Sequence, residues 1–130
     1  MTNESITIKR RILVIDDEED IRELLQLSLE MSSSWEVLTA GSAQEGLEMA
    51  ITYQPDAIIL DVIMPDIDGP ATFQQLQENP ATRNIPVVLL TAKVQADEQP
   101  AYTNLGVKAV LSKLINPLHF AQQLAEVLGW

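Results

Sequence analysis

Apolar residues in this chain fall into short unbroken runs that alternate with segments of helical spacing. Runs rich in branched side chains are typical of strands buried on both faces of a parallel sheet. Five strands are predicted, over residues 11–15, 35–40, 57–61, 85–92 and 107–113. Helices are predicted from Glu18 to about Met31, after Ser42 to Gln54, from Gly69 to about Asn79, from Asp97 to about Leu105, and from Asn116 through Leu128. This alternation predicts an α/β fold, a doubly wound five-stranded parallel sheet with helices on both faces.

Several helix ends carry local signals. Ser42 and Glu45 have the spacing of a capping box, and either Asp17 or Glu18 can cap the first helix. Asn116 followed by Pro117 predicts the start of the last helix. The helix from Asp97 is the weakest, because Pro100 must lie in its first turn, and we expect it to be the most mobile element. The apolar positions of the second helix are expected in the core; they are Ala43, Leu47, Met49 and Ile51.

Length and composition favour one domain with its own core. The 130 residues contain no cysteine, which excludes disulfides and thiolate sites. We expect residues 1–8 to be a flexible lead-in and residues 9–130 to form a single domain, which would be stand-alone because the last helix reaches the end of the chain. No secretory signal is visible, and no apolar run approaches the roughly 18 residues of a membrane helix, so a cytoplasmic protein without a membrane partner is expected.

The charge of the chain limits its partners. With 19 acidic residues against 8 basic ones, the formal net charge is -11. Nucleic acid is held by clustered lysine and arginine, so direct nucleic-acid binding is not expected. An acidic surface suits either cations or a basic face of another protein, and composition does not choose between them.

Polar side chains follow four of the predicted strands. Asp16 and Asp17 follow the first strand, Asp61 ends the third, Thr91 lies near the end of the fourth and Lys113 ends the fifth. The carboxyl ends of parallel strands lie on one edge of a sheet, so these groups are expected to converge. Three ionised carboxylates repel one another unless a cation joins them, and Mg²⁺ prefers such hard oxygen ligands. The pattern favours metal-assisted phosphoryl transfer.

The same residues, in the same order, resemble the response regulator receiver domain. The resemblance runs from about residue 10 to 128 and includes Asp16-Asp17, the segment from Asp61 to Gly69, Thr91-Ala92 and Lys113. It implies the flavodoxin-like (βα)5 receiver fold over residues 9–130. It also implies a signalling domain that catalyses only its own phosphorylation and dephosphorylation.

The resemblance implies a role for each site residue. Asp61 would accept a phosphoryl group from a phosphohistidine on a sensor histidine kinase or histidine phosphotransfer protein. Asp17 and Asp61 would bind Mg²⁺ directly with the main-chain carbonyl of Ile63, and Asp16 would help through water. Lys113 and Thr91 would contact phosphate oxygens. The output would be contact with a downstream protein, through the helix after the fourth strand, the fifth strand and the last helix, in a monomer or weak dimer.

Three positions bear on how the domain works. Val110 stands where the family often has an aromatic residue, and Leu114 where it commonly has proline. These departures keep open a phosphorylation-independent interaction module with the same fold. Ile63, two residues after Asp61, offers no group to orient water, which disfavours a small phosphatase and predicts slow loss of a phosphoryl group.

Overall fold

The computed structural model describes residues 9–92, 102, 104–114 and 116–130. Its strands are β1 (Arg11–Ile15), β2 (Glu36–Ala40), β3 (Ala57–Asp61), β4 (Val87–Thr91) and β5 (Ala109–Ser112). The helices among these residues are α1 (Glu19–Ser32), α2 (Ala43–Tyr53), α3 (Gly69–Glu78) and α4 (Phe120–Leu128). The predicted lead-in, residues 1–8, lies outside the described residues, as does most of the helix predicted from Asp97 to about Leu105.

All five strands are parallel and lie in the order β2-β1-β3-β4-β5. The chain runs outward from β1 to β2, then returns past β1 to β3, so β1 and β3 flank the point at which the strand order reverses. Ligands of open α/β sheets bind at such a switch point, beyond the carboxyl ends of the strands. Ile15 pairs with Leu60, which places Asp16 and Asp61 side by side at that point.

The unbroken apolar runs are explained by burial on both faces of the sheet. Leu13 and Ile15 of β1 face a core shared with α2 and α3, and Ile12 and Val14 face a core shared with α1 and α4. All four are fully buried. Successive side chains of a strand point to opposite faces, so a strand covered by helices on both sides needs apolar residues at every position. The predicted doubly wound fold is confirmed.

The α2 amino terminus is capped by Ser42 as predicted, and Glu45 also reaches back, but by one residue more than in a capping box. The Glu45 main-chain N–H donates to Ser42 Oγ at 3.1 Å, and Gly41 N–H donates to Glu45 Oε1 at 2.7 Å. Ser42 therefore satisfies an amide of the first turn of α2, whereas Glu45 binds the Gly41 amide, one residue before the N-cap amide that a capping box pairs.

The last helix starts later than its sequence signal suggested. Asn116 Oδ1 accepts from Leu118 N–H at 3.0 Å, and His119 N–H donates to the Asn116 carbonyl, closing a turn before Phe120 begins the helix. The carbonyl of Pro117 accepts a hydrogen bond from Ser28 Oγ in α1 at 2.7 Å. The predicted start of this helix at Asn116 was therefore wrong by a few residues. The segment forms a turn that is hydrogen-bonded to α1.

Other expectations also need correction. Ile51, which was expected in the core, is 46 % exposed, because the inner face of α2 is formed by Ala43, Gly46 and Ala50. Leu47 and Met49 pack against the core but are only partly buried. Glu18 occupies the N-cap position of α1, but its side chain makes no capping hydrogen bond.

Candidate functional site

Asp61 lies at the last position of β3, with its side chain almost wholly buried. Ile63 N–H donates to Asp61 Oδ1 at 3.2 Å, and Lys113 Nζ lies 3.1 Å from Asp61 Oδ2. Every residue of β3 is buried, so this carboxylate is fixed at the end of a rigid strand. One oxygen is held by the main chain and the other faces the ammonium group.

Asp16 lies beside Asp61, directly after β1, and is 1 % exposed. Its Oδ1 accepts from Glu18 N–H at 2.9 Å, and its main-chain carbonyl accepts from the Arg22 guanidinium at 2.8 Å. Asp16 Oδ2 forms an ion pair with Lys113 Nζ at 3.2 Å but accepts no hydrogen bond from any residue that the structure describes. Lys113 offsets part of the charge of this buried oxygen, which can still accept a hydrogen bond or bind a metal ion.

Lys113 brings three carboxylates together. Its Nζ is 2.7 Å from Glu18 Oε1, 3.1 Å from Asp61 Oδ2 and 3.2 Å from Asp16 Oδ2. Glu18 was missed as a site residue by sequence reasoning. It lies in an acidic run over residues 16–20, whose spacing does not show which of its members turns toward a lysine 95 positions away.

The charges at this site do not balance. Burial raises the pKa of both the Asp16 and the Asp61 carboxyl above the usual 3.8, and neighbouring acids raise it further. Burial alone would lower the pKa of Lys113, but the hydrogen bond with Glu18 and the charges of Asp16 and Asp61 raise it above 10.5. Three carboxylates share one ammonium, so the site carries an excess of negative charge. A bound cation would relieve that excess.

The remaining predicted residues lie around the same pocket, whose volume is about 240 Å³. Its walls are Asp17, Glu18, Asp61, Val62, Ile63, Thr91, Ala92 and Lys113. Asp17 and Ile63 are exposed, whereas Thr91 is buried at the end of β4. All of the site residues predicted from sequence except Asp16 line this pocket. Asp16 forms an ion pair with Lys113, which does line it.

The acidic groups suit a divalent cation such as Mg²⁺. Carboxylate oxygens of Asp16, Glu18 and Asp61 lie within 4.8 Å of one another, and Asp16 Oδ2 accepts no hydrogen bond within the described part of the chain. Mg²⁺ takes hard oxygen ligands from one or two carboxylates and keeps positions for phosphate. Asp17 lines the pocket but is not a member of this close group, whereas Glu18 is.

The loop after β3 is anchored at two places. Gly69 N–H donates to the Val62 carbonyl at 2.7 Å, closing the turn that contains Ile63. Asp66 faces the amino terminus of α2, where its carboxylate accepts from Ala43 N–H at 3.4 Å and Gln44 N–H at 3.3 Å. The main chain at Ile63 is thus held between α3 and α2.

Comparisons with known proteins agree with this geometry. The family model of the response regulator receiver domain matches residues 12–125. The chain belongs to that family. The receiver domain of response regulators is a two-component signalling domain whose family function is phosphoryl acceptance on an aspartate, which confirms the resemblance drawn from the strand-end residues.

Named relatives include two curated regulators. The chain is 35 % identical over 121 residues to the alkaline phosphatase synthesis transcriptional regulatory protein PhoP of Bacillus subtilis, covering 93 % of this chain and 49 % of PhoP. It is 35 % identical over 117 residues to the DNA-binding dual master transcriptional regulator RpaA of Synechocystis, covering 90 % of this chain and 47 % of RpaA. The receiver therefore spans about half the length of these relatives.

A solved structure matches nearly end to end. The chemotaxis response regulator CheY4 of Vibrio cholerae superimposes with a TM-score of 0.85 at 26 % identity, over 92 % of this chain and 99 % of CheY4. The receiver's acidic cluster of Asp16, Glu18 and Asp61 is arranged as in receiver domains that bind Mg²⁺.

None of the helices in the described part of the chain is long and apolar enough to cross a membrane.

Proposed function

We propose that Asp61 accepts a phosphoryl group from a phosphohistidine of a sensor histidine kinase or a histidine phosphotransfer protein. The observation that supports this most strongly is the placement of Asp61, a buried carboxylate at the switch point of the sheet, 3.1 Å from Lys113 Nζ and open to a pocket. The protein would catalyse only its own phosphorylation and dephosphorylation, without turning over an external substrate.

The transfer exchanges one phosphorus bond for another. A carboxylate oxygen of Asp61 attacks phosphorus, a P–O bond forms, and the P–N bond of phosphohistidine breaks. The electron pair of that bond returns to the imidazole nitrogen. Lys113 would donate to a phosphoryl oxygen as a point charge, and the Thr91 hydroxyl would donate to another. In hydrolysis, water attacks phosphorus and releases inorganic phosphate, which restores the Asp61 carboxylate.

The reaction would depend on Mg²⁺. When bound, this ion offsets negative charge that develops on the transferring group. Asp16, Asp17, Asp61 and the main-chain carbonyl of Ile63 are the ligands that the family resemblance implies. The position of Glu18 in the close acidic group adds a further candidate oxygen.

The output would be contact with a downstream protein. Thr91 and Lys113 are linked, because Lys113 N–H donates to the Thr91 carbonyl at 2.9 Å and Thr91 pairs with Ser112. A shift of Thr91 toward a phosphoryl group would therefore act on the end of β5 and the turn beyond it. The proposal includes a cytoplasmic protein that is a monomer or weak dimer and signals through β5 and its neighbouring helices.

A phosphorylation-independent interaction module is the second candidate. Val110 is buried in β5 at a position where an aromatic switch residue is common, and Leu114, next to Lys113, is 85 % exposed. Both residues lie in or next to β5, the element through which the site would act on the protein surface. They do not touch the carboxylates.

Phosphorylation by a labelled donor separates the two candidates. Wild type incubated with labelled acetyl phosphate and Mg²⁺ is expected to take up label that hydroxylamine removes, as for an acyl phosphate. Asp61→Asn should take up none. Asp56→Asn is a matched control, because Asp56 precedes the other end of β3, where its carboxylate accepts from Arg11 N–H. Unlabelled wild type, or equal labelling of Asp61→Asn, would favour the interaction module.

A further inference from the structure

Glu18 makes the shortest of the three contacts to Lys113. Its Oε1 lies 2.7 Å from Nζ, against 3.1 Å for Asp61 and 3.2 Å for Asp16. The contact joins the residue before α1 to the residue after β5, and both residues line the pocket. Lys113 is therefore held on its outer side by Glu18 and on its inner side by the two aspartates.

Helix capping does not account for the Glu18 side chain. Glu18 is the N-cap residue of α1, and its main-chain carbonyl accepts from Arg22 N–H, as in a regular first turn. Its carboxylate makes no capping hydrogen bond, although cap side chains usually accept from an amide two or three residues on. The carboxylate is directed to Lys113 instead.

Exposure distinguishes Glu18 from the other two acids. The side chain of Glu18 is 59 % exposed, whereas those of Asp16 and Asp61 are 1 % and 4 % exposed. Glu18 can turn into water at little cost, but the aspartates cannot leave without a large loss of packing and hydrogen bonds. If Lys113 has to exchange one contact for another, Glu18 is the contact it can release.

We propose that Glu18 is a positioning residue that retains the Lys113 ammonium until a phosphoryl group replaces it, and thereby slows phosphorylation of Asp61 by small anionic donors. The proposal rests on the proposed function of Asp61. A lysine ammonium has three N–H donors, and three carboxylates already surround this one. Glu18 and Asp61 each accept a hydrogen bond from it, whereas Asp16 attracts it as an ion pair only. A phosphoryl group on Asp61 brings further negative oxygens to the ammonium, so it competes for Lys113 with Glu18, the contact whose side chain is exposed and can be released.

A second effect of Glu18 acts in the same direction. Its carboxylate belongs to an exposed side chain that lines the same pocket as Asp61. Acetyl phosphate is an anion, and like charges at short range oppose its entry. Loss of the Glu18 charge should therefore both free Lys113 and ease the approach of the donor.

The test compares Glu18→Gln and Glu18→Ala with wild type. Glutamine keeps the length and an acceptor oxygen but loses the charge, and alanine loses both. Because removal of a carboxylate can weaken Mg²⁺ binding, labelling rates are measured at a Mg²⁺ concentration that saturates each variant. Both variants should be labelled by acetyl phosphate roughly two- to tenfold faster than wild type, with alanine at least as fast as glutamine.

Glu19→Gln is the matched control. Glu19 is the next residue, is also acidic and exposed, and does not line the pocket. This variant should be labelled at close to the wild-type rate. Faster labelling of the control to the same degree would overturn the proposal in favour of a general effect of net charge.

The ¹⁵N spectrum of the Lys113 ammonium supplies a readout that does not depend on phosphorylation. In the unphosphorylated protein, the Nζ protons should exchange with water fastest in Glu18→Ala, which has lost the hydrogen bond, and at an intermediate rate in Glu18→Gln, whose acceptor is no longer charged. Unchanged exchange, or labelling no faster at saturating Mg²⁺, overturns the proposal. If wild type takes up no label, the proposed function fails separately, and the exchange rate still shows whether Glu18 holds Lys113.

Discussion

The Cβ atom that Gly69 lacks would lie 2.6 Å from the main-chain oxygen of Asp61. The same atom would also come within 2.8 Å of the Val62 Cα. Real Cβ atoms do not approach main-chain atoms so closely, and the main chain at the end of a buried strand moves aside only at a cost in stability. The first residue of α3 therefore packs directly against the backbone of the proposed phosphoacceptor, which only glycine permits.

We expect Gly69→Ala to destabilise the fold by about 1–3 kcal/mol, as other overpacked sites do, and to slow labelling of Asp61. The reason is that the Asp61–Val62 main chain must shift to admit the methyl group. Urea unfolding measures the first effect and labelling by acetyl phosphate the second. Gly41→Ala is the control, because the nearest atoms to its Cβ, at 3.1 Å, would belong to the end of the flexible Arg22 side chain and not to main chain. Equal stability of both variants would show that the close contact does not constrain the site.

We expect Asp66→Asn to destabilise the protein at neutral pH but not at low pH. Burial acts to raise the pKa of Asp66, but main-chain N–H groups of Ile67, Gln44 and Ala43 outweigh it and hold the pKa below 3.8. A carboxyl whose folded-state pKa is lowered contributes stability above its unfolded pKa, and that contribution is lost as pH falls through the folded value.

The expected loss is about 0.3–1 kcal/mol at pH 7, typical of an exposed anion at a helix amino terminus. Urea unfolding at pH 7 should show this difference in the free energy of unfolding between wild type and Asp66→Asn. The difference should disappear as the pH falls below 3.8. A gap that stays constant down to the folded pKa and beyond would mean that Asp66 acts through its shape and not through its charge.

The buried strands and the convergence of acids could be predicted because both are local signals. An uninterrupted run such as Ile12–Ile15 needs two covering layers, and a polar residue that ends it must lie at a sheet edge. Once the strands are known to be parallel, Asp16, Asp61 and Lys113 have to share one edge. That much follows from the sequence and the rules of α/β folds.

The partner of Lys113 and the start of α4 could not be predicted in the same way. Which acid of residues 16–20 reaches Lys113 depends on how α1 and β5 lie relative to each other in space. Asn116 and Pro117 are a strong helix start in isolation, but the Pro117 carbonyl is bound by Ser28, 89 positions earlier in the chain. Tertiary contacts decided both features.

We expect Mg²⁺ to stabilise the protein, because an ion that binds the folded state raises the free energy of unfolding. The gain is about 2.7 kcal/mol when the free ion is at 100 times its dissociation constant. Asp16→Asn and Asp61→Asn should lose most of this gain, since each removes a buried carboxylate of the close acidic group.

Urea unfolding over a series of Mg²⁺ concentrations at constant ionic strength measures the effect. Asp20→Asn is the control, because Asp20 is an exposed acid in the first turn of α1 and does not line the pocket. It should keep the full gain. The same gain in Asp16→Asn as in Asp20→Asn would indicate screening of the net charge and not binding at this site.

We expect the phosphoryl group on Asp61 to persist, because Ile63 gives water no polar side chain to orient it. Ile63 lines the pocket, is 73 % exposed and presents only a hydrocarbon chain there. The label on wild type should therefore last on the order of minutes or longer in Mg²⁺ buffer, and Ile63→Asp should shorten its lifetime about tenfold or more. Positioned acids and bases contribute 10²–10⁴-fold, and a newly introduced one should reach only part of that. Leu114→Asp controls for an added charge near Lys113, since Leu114 is exposed and does not line the pocket. Loss of the wild-type label within seconds would contradict the prediction.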